Sequence, residues 1–292
     1  MDHEPWTHRF LSANNCRFHV VEIGDGPIVL LLHGFPQSWR AWRHQLPALA
    51  AAGYHAVAID LRGYGASDKP PRGYDPFTLA ADVAGLVAEL GSEAVTLVGR
   101  GWGGYVAWAA AAAYPDQVSA LCAVGAPHPD ELLRSPARLV THASFAHLLT
   151  MQIPWFPERQ MMRSDYVGRH LRGWSAAGSS FPTEAEAARY REAFARWPSP
   201  HCALEYHRWL MRSRCRADGR AFAKSMRQPI LADVLQVNGA DDPAVHLVAV
   251  ERSSRHVTGC YEEAVVAEAG HFVPEEAPDA FTGILLDWLS RR

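Results

Sequence analysis

Residues 97–105 read LVGRGWGGY, an apolar run that leads into a glycine-rich turn and then into an alanine-rich segment. This order predicts a strand, a sharp turn and a helix, in which Gly99, Gly103 and Gly104 allow the strand and the helix to pack closely. A turn of this kind lifts its central residue above the sheet edge, where enzymes place a Ser, Asp or Cys nucleophile. The central residue here is Gly101. The turn therefore indicates the architecture of an enzyme, but glycine has no side chain for covalent catalysis.

The sequence on both sides of this turn alternates between predicted strands and predicted helices. Continuous apolar runs are typical of strands buried on both faces of a parallel sheet, and they occur at 28–32, 55–59, 95–99 and 118–124. Helical stretches lie between and after them, at 39–52, 78–90 and 103–114. Two further strands, 7–11 and 16–23, are predicted to form a hairpin near one sheet edge. The alternation predicts an α/β fold with a mostly parallel central sheet and helices on both faces.

The pattern changes between positions 128 and 228, where aromatic, histidine, arginine and proline residues are frequent and apolar residues recur at helical spacing. The alternation then resumes with predicted strands at 234–239 and 258–267 and predicted helices at 245–252 and 274–290. We therefore predict one core formed by residues 1–127 and 229–292. Residues 128–228 are predicted to be a helical cap inserted into that core.

Composition excludes several classes of function. The 292 residues carry a formal net charge of −3 with both signs scattered, so no basic patch for nucleic acid or an anionic membrane is present. No apolar run approaches the ~18 residues of a membrane-spanning helix, and the first residues do not resemble a secretory signal. The five cysteines lack C-x-x-C spacing, which argues against a zinc site or a disulfide framework. These features predict a cytoplasmic protein that acts on a small molecule without a metal or cofactor; they leave its oligomeric state open.

Four short motifs follow predicted strands in chain order. HGFP (33–36) follows the first buried strand, DLRGYGASD (60–68) the next, and the glycine-rich turn the third; AGHFVPEEAP (269–278) follows the last strand. Together these motifs resemble the α/β-hydrolase superfamily, in particular its epoxide hydrolase and haloalkane dehalogenase branch. The resemblance covers nearly the whole chain and is weakest between 128 and 228. It implies an α/β-hydrolase fold in which the helical segment is the family's cap.

The resemblance also implies roles for individual residues. Asp242, in the sequence NGADDP, matches the acid of the family, and His271 matches the general base, in the chain order that this superfamily uses. Asp242 would then fix the tautomer of His271 and stabilise its imidazolium form. Asp241 is the neighbouring competitor for this role. The backbone N–H groups of Phe35 and Trp102 match the oxyanion hole, which needs donors rather than particular side chains.

The chain departs from that family branch at two places. Its members attack carbon with an Asp at the turn, where this chain has Gly101, and its epoxide hydrolases donate to the epoxide oxygen from two cap tyrosines. His147 falls about where the first tyrosine is expected. His207 aligns best with the second, and Tyr206 comes one residue early, a rotation of about 100° on a helix. Neither half of the epoxide-opening machinery is therefore intact.

The predicted substrate pocket combines residues near the motifs with residues of the helical segment: His33, Arg100, His147, Trp155, Tyr206 and His207. The many aromatic residues of the segment indicate an apolar or aromatic ligand: Trp155, Phe156, Trp174, Phe181, Trp197 and Trp209.

Other polar residues have structural interpretations or weak catalytic ones. Asp60 and Arg62 are predicted to be structural, with the aspartate capping the turn after its strand. Cys122 lies within a predicted strand, which favours a buried small hydrophobe over a nucleophile. Arg100 can act neither as a nucleophile nor as a base. Asp130 is a possible relocated carboxylate at the start of the helical segment.

Three functions are compatible with these residues. The first is a hydrolase in which His271 and Asp242 activate water directly. The second is a lyase, isomerase or cyclase that uses the same pair for acid–base chemistry and the oxyanion hole for an enolate or alkoxide. The third is a descendant without catalysis that binds a small molecule or a partner. The presence of both members of the acid–base pair argues against the third.

Overall fold

The computed structural model describes residues 5–134, 141–163 and 165–292. Eight strands of these residues form one sheet, namely β1 (Thr7–Ala13), β2 (Cys16–Ile23), β3 (Ile28–Leu32), β4 (His55–Ile59), β5 (Val95–Arg100), β6 (Val118–Val124), β7 (Asp233–Gly239) and β8 (Tyr261–Val266). Across the sheet their order is β1-β2-β4-β3-β5-β6-β7-β8. The pairs β1/β2 and β2/β4 are antiparallel, and the other neighbouring pairs are parallel. The predicted mostly parallel sheet is confirmed.

The helices of the described residues are α1 (Gln45–Ala51), α2 (Pro76–Glu89), α3 (Trp102–Ala113), α4 (Pro129–Arg134), α5 (His142–Thr150), α6 (Phe156–Arg163), α7 (Tyr166–Trp174), α8 (Glu184–Phe194), α9 (Ser199–Arg212), α10 (Ala217–Ser225), α11 (Leu247–Ser253), α12 (Val273–Glu276) and α13 (Pro278–Ser290). None of the described helices is long and apolar enough to cross a membrane.

Both faces of the sheet are covered by helices, as the apolar strands predict. In β3, Leu30 and Leu32 belong to the same apolar cluster as residues of α2 and α3. The alternate residues Val29 and Leu31 belong to a second cluster with residues of α1 and α13. Successive side chains of a strand point to opposite faces, so an uninterrupted apolar run contributes to both cores.

Two predicted helices are each divided in the structure. The predicted helix 39–52 is a short 3₁₀ turn, Trp39–Trp42, followed by α1. Pro47 has no N–H to continue a helix through this region, and it is tolerated in the first turn of α1. The predicted helix 274–290 is α12 followed by α13, because Pro278 removes a donor and holds Ala277 outside the helical region, at φ −134° and ψ 61°.

Between β6 and β7, the described residues form helices and no strand. Ionic contacts link this segment to the loops at the carboxyl edge of the sheet. Arg43 pairs with Glu275 on α12 and also with Glu186 on α8. Tyr190, also on α8, donates from its hydroxyl to Glu275 over 2.7 Å. These contacts hold α8 above the sheet edge where the sequence motifs meet.

The turn between β5 and α3 packs closely against its neighbours. A Cβ on Gly103 would overlap the backbone carbonyl oxygen of Leu32 at the end of β3. By contrast, a Cβ on Gly173 in α7 would have no atom within 4 Å. The two glycines therefore have opposite steric environments within helices.

We expect Gly103→Ala and Gly173→Ala to change stability in opposite directions. The first should lower the free energy of unfolding by several kcal/mol, because backbone atoms of β3 must move to admit a methyl group. The second should raise it by about 0.5–1 kcal/mol, since alanine is the better helix former. Urea unfolding of both variants measures the difference. Equal stabilities for the two would contradict the close contact at the turn.

Candidate active site

The carboxyl ends of the parallel strands bring the sequence motifs together. Gly101 follows β5, Asp242 follows β7, and His271 lies in the loop after β8. The loop after β3 contributes Gly34 and Phe35. Ligand sites in open parallel sheets lie outside the carboxyl ends of the strands, where loops converge. Residues from these loops line one cavity of about 160 Å³.

His271, at the floor of the cavity, forms a hydrogen-bonded pair with Asp242. Nδ1 of His271 lies 2.9 Å from Oδ2 of Asp242, and both side chains are buried. The other carboxylate oxygen, Oδ1, accepts the backbone N–H of Ala244 at 2.7 Å. Because a carboxylate only accepts, Nδ1 of His271 carries a proton, and in the neutral ring Nε2 presents a lone pair. The neighbouring Asp241 is exposed and has no part in this pair.

Position 101 faces the free nitrogen of His271. Gly101 has φ +53° and ψ −116°, a backbone conformation that glycine adopts with little strain. A Cβ built at this position would lie 3.6 Å from Nε2 of His271 and 3.9 Å from Cα of Gly34. A side chain at position 101 would therefore project between the base and the loop after β3.

Two backbone N–H groups flank this position. Trp102 is the first residue of α3, where the first-turn amides have no partner within the helix. Among the described residues, neither its amide nor that of Phe35 donates a hydrogen bond. Free amides at a helix N-terminus attract negative charge. The pair is therefore suited to stabilise an anionic oxygen near Gly101.

Arg100 holds the base loop and the loop after β3 together beneath the cavity. Its Nη2 donates to the carbonyl oxygen of Phe35 over 2.9 Å, and its Nη1 to that of His271 over 3.3 Å. The guanidinium also lies 4.5 Å from the ring centre of Phe272. Burial lowers the pKa of Arg100 to about 10, so the group stays charged at neutral pH. The structure thus places a buried positive charge beside the two free amides.

The opposite wall of the cavity is formed by histidine and tryptophan rings of the helical segment. His147 on α5, His207 on α9, and His170 and Trp174 on α7 all line it. Nε2 of His147 lies 3.2 Å from Nε2 of His207, and the rings of His170 and Trp174 are 4.5 Å apart. Burial lowers the pKa of His207 to about 4 and holds the pKa values of His147 and His170 well below the usual range. This wall is therefore uncharged at neutral pH.

Comparisons with known proteins identify the architecture. Residues 27–278 match the model of the alpha/beta hydrolase fold family. The chain belongs to the α/β-hydrolase family. It is 32% identical to epoxide hydrolase 3 of Xenopus tropicalis, with 96% of this chain and 76% of that protein covered, and 30% identical to epoxide hydrolase A of Mycobacterium tuberculosis, with 97% of each covered. A solved epoxide hydrolase from an endophytic Streptomyces superimposes with a TM-score of 0.85 at 30% identity, covering 98% of this chain and 96% of that one.

Three residues predicted for the pocket of this α/β-hydrolase lie elsewhere. His33 is fully buried outside the cavity, where Nδ1 bonds to the carbonyl oxygen of Gly34 at 2.9 Å and Nε2 accepts the N–H of Leu61 at 3.1 Å. Both ring nitrogens are occupied by backbone groups, so His33 links the loop after β3 to the loop after β4. This corrects its assignment to the pocket.

Tyr206 also points away from the cavity. Its hydroxyl donates to the carbonyl oxygen of Arg62 over 2.8 Å, and its ring packs between Tyr64 and Tyr74. Since Tyr206 precedes His207 on α9, the rotation of about 100° between them brings only His207 to the cavity. The uncertain choice between these neighbours is decided in favour of His207.

Trp155 is the third correction. It is 79% exposed at a left-handed turn, φ +62°, and it lines a separate surface groove together with Trp197. Sequence reasoning instead missed His170, which lines the cavity from α7. The spacing of Tyr166, His170 and Trp174 at i, i+4 and i+8 indicates one helix face, and that signal was available in the sequence.

The remaining polar candidates lie outside the cavity. Asp60 accepts hydrogen bonds from His19 and from the amides of Trp39 and Ala66, which agrees with a structural role. Cys122 is fully buried in β6, and burial raises the pKa of its thiol. Asp130 is buried with one oxygen 4.0 Å from His256, and it does not pair with His271. No cluster of metal-ligating side chains occurs in the part of the chain that the structure describes.

We expect Asp242→Asn to reverse the tautomer of His271. The N–H of Ala244 donates to Oδ1, so the amide oxygen of an asparagine should take that place and turn its NH₂ group towards Nδ1. Nδ1 must then accept, which moves the ring proton to Nε2 and removes the free lone pair. The ¹⁵N chemical shifts of the two ring nitrogens report this change. Asp241→Asn is the matched control, and a shift of the proton in that variant instead would show that the acid is misassigned.

Proposed function

We propose that this protein hydrolyses a small apolar or aromatic molecule by direct attack of water, with epoxides as the first class to test. His271 is the general base, and Asp242 holds it in the required tautomer. The observation that carries the proposal is the direction of position 101. A side chain there would lie against Nε2 of His271, so glycine leaves open, beside that nitrogen, the space in which we place the attacking water.

The proposed reaction balances without a covalent intermediate. Nε2 of His271 takes a proton from water while the water oxygen bonds to one carbon of the epoxide ring. The bond from that carbon to the ring oxygen breaks, and the ring oxygen keeps the electron pair. The imidazolium of His271 then returns the proton to this oxygen, giving a diol and the neutral base. The carboxylate of Asp242 stabilises the imidazolium in between.

The developing alkoxide needs hydrogen-bond donors. The free amides of Phe35 and Trp102 supply two on the sheet side of the cavity. The helical wall faces them with neutral imidazoles, which can donate a hydrogen bond but cannot give up a proton at neutral pH. We propose that residues 128–228 act as the cap of the site, with α5, α7 and α9 forming this wall.

Cavity size and lining support a small apolar substrate. Apart from the histidines, Arg100 and Arg214, the described lining residues are mainly aromatic and aliphatic: Phe35, Trp102, Tyr105, Leu132, Leu133, Leu148, Trp174, Leu210, Met211 and Val245. Its volume of about 160 Å³ is close to the ~150 Å³ of an engineered cavity that binds benzene. The part of the substrate that enters is therefore about the size of one aromatic ring.

We expect single turnover in H₂¹⁸O to distinguish direct attack from a covalent route. With enzyme in excess over a one-ring epoxide such as styrene oxide, the wild-type diol should carry one ¹⁸O from the first turnover, and the protein none. In Gly101→Asp the carboxylate becomes the nucleophile, so the first diol should carry ¹⁶O and the aspartate should gain ¹⁸O. Mass spectrometry of the diol and of the peptide containing residue 101 measures both.

Gly101→Asp should also raise kcat/KM above that of the wild-type protein. Loss of a nucleophile alone costs on the order of 10⁶-fold, so partial recovery of about 10²-fold in kcat/KM is expected for Gly101→Asp. The left-handed φ should cost it about 1–3 kcal/mol of stability. His271→Gln should lose wild-type turnover, whereas Trp155→Ala, outside the cavity, should keep it. Wild-type activity that survives His271→Gln would refute the proposal.

A second candidate is proton transfer without hydrolysis, as in an isomerase or lyase. The observation in its favour is that the lone pair of His271 and the two free amides lie on either side of position 101. A base beside oxyanion donors is the arrangement that stabilises an enolate. Incorporation of deuterium from D₂O into a one-ring ketone, without ¹⁸O in any product, would favour this candidate.

A further inference from the structure

A chain of hydrogen bonds runs from the turn at Gly101 to the helical wall. The indole Nε1 of Trp102 lies 3.0 Å from Nε2 of His207. Nδ1 of the same histidine lies 2.9 Å from the carbonyl oxygen of Ala203, one turn earlier on α9. Nε2 of His207 is also 3.2 Å from Nε2 of His147 on α5. The nature of each partner determines which ring nitrogens carry protons.

Only one form of His207 satisfies both of its fixed partners. The carbonyl oxygen of Ala203 can only accept, so Nδ1 must carry a proton. The indole N–H of Trp102 can only donate, so Nε2 must be without one. Burial lowers the pKa of His207 to about 4, and protonation of Nε2 would in addition set two N–H groups against each other. His207 is therefore an acceptor on the side facing Trp102.

The form of His207 in turn determines that of His147. Because Nε2 of His207 has no proton, the hydrogen between the two rings belongs to Nε2 of His147. Burial and the nearby His207 and His271 hold the pKa of His147 well below the usual range, so its Nδ1 is unprotonated at neutral pH. One lone pair of His207 thus receives two N–H groups, which weakens each bond. The contact with His147 is the longer of the two, 3.2 Å against 3.0 Å for Trp102, so the N–H of His147 is the one that a ligand oxygen draws away more readily.

We propose that Trp102 is a positioning residue whose indole N–H, acting through His207, holds His147 as the hydrogen-bond donor to the substrate oxygen. The use of this donor in turnover rests on the proposed hydrolysis. The assignment of the ring protons does not, because it follows from the contacts of the rings and from their burial. On this wall a single directed N–H therefore takes the place of the two tyrosine hydroxyls that the family resemblance implies.

Few charged groups could override this arrangement. Arg208 follows His207 on α9, and its guanidinium is turned away to pair with Glu158 and Glu205. Among the residues that the structure describes, the other titratable groups facing the two rings are His170 on α7 and His271 at the floor. Burial holds the pKa of His170 well below the usual range, so this ring adds no positive charge at neutral pH.

Trp102→Phe tests the proposal, because it keeps the aromatic ring and the backbone amide and removes only the indole N–H. We expect wild-type His207 to keep one neutral form, protonated at Nδ1, from pH 5 to pH 8 in ¹⁵N spectra. In the variant, loss of one hydrogen bond should raise the proton affinity of Nε2 about fivefold. A protonated His207 would donate to His147 and reverse their bond. The acid limb of kcat/KM should therefore move to higher pH.

A second substitution separates this effect from a general disturbance of the site. In the double variant Trp102→Phe/His207→Gln, the amide oxygen at 207 can accept from His147 but cannot titrate. We expect the acid limb to return to its wild-type position, although kcat itself stays reduced. Trp155→Phe makes the same change at an exposed residue outside the cavity, and it should keep the wild-type shape of the pH profile. Near-UV circular dichroism of each variant checks that the fold is retained.

The ¹⁵N spectra and the activity measurements test separate parts of the proposal. A proton on Nε2 of wild-type His207, or an identical titration of His207 in Trp102→Phe, would overturn the positioning role whatever the activity. If the spectra are as expected but no epoxide is turned over, the proton assignment is supported. The proposed hydrolysis is then refuted, and with it the use of His147 in turnover. The expected spectra together with the shifted acid limb would support both.

Discussion

The site depends on the close approach of the turn at 99–104 to the strands on either side of it. A Cβ on Gly103 would overlap the carbonyl oxygen of Leu32, and one on Gly104 would overlap the Cβ of Ala126. Neither neighbour is the end of a flexible side chain, so a larger residue at either glycine would require the backbone to shift. The contact brings the start of α3 against the loop after β3. As a result, position 101 faces His271, and the amide of Trp102 is left free.

Burial then sets the electrostatics of the cavity. A charged imidazole loses its hydration when it is buried, so His147, His170 and His207 are held neutral. Arg100 responds differently, because its ordinary pKa is so high that lowering it to about 10 still leaves a charge at neutral pH. In the function we propose, recognition on the helical wall therefore depends on which ring nitrogens carry protons. On the floor it depends on one buried positive charge and on the Asp242–His271 pair.

The sequence predicted the core better than the helical segment, and the reason is physical. Runs such as IVLLL at 28–32 indicate a strand buried on both faces, because no single-sided strand would be apolar at every position. The loops after such strands must meet at one edge of a parallel sheet, and the family resemblance then implied that His271 and Asp242 are paired there. The prediction was wrong at two helices. The apolar spacing indicated continuous helices there, but Pro47 and Pro278 divide them.

The sequence by itself determined the order of strands and helices, the loops that carry polar residues, and the absence of a nucleophilic side chain at Gly101. These properties are local, since they follow from periodicity and from the chemistry of single residues. Only the tertiary structure decided that His207 rather than Tyr206 enters the cavity, that Trp155 lies on the surface, and that the indole N–H of Trp102 donates to a histidine 105 positions away. Such choices depend on how α9 is rotated against α3 and α5, and helix rotation is set by packing between segments far apart in the chain.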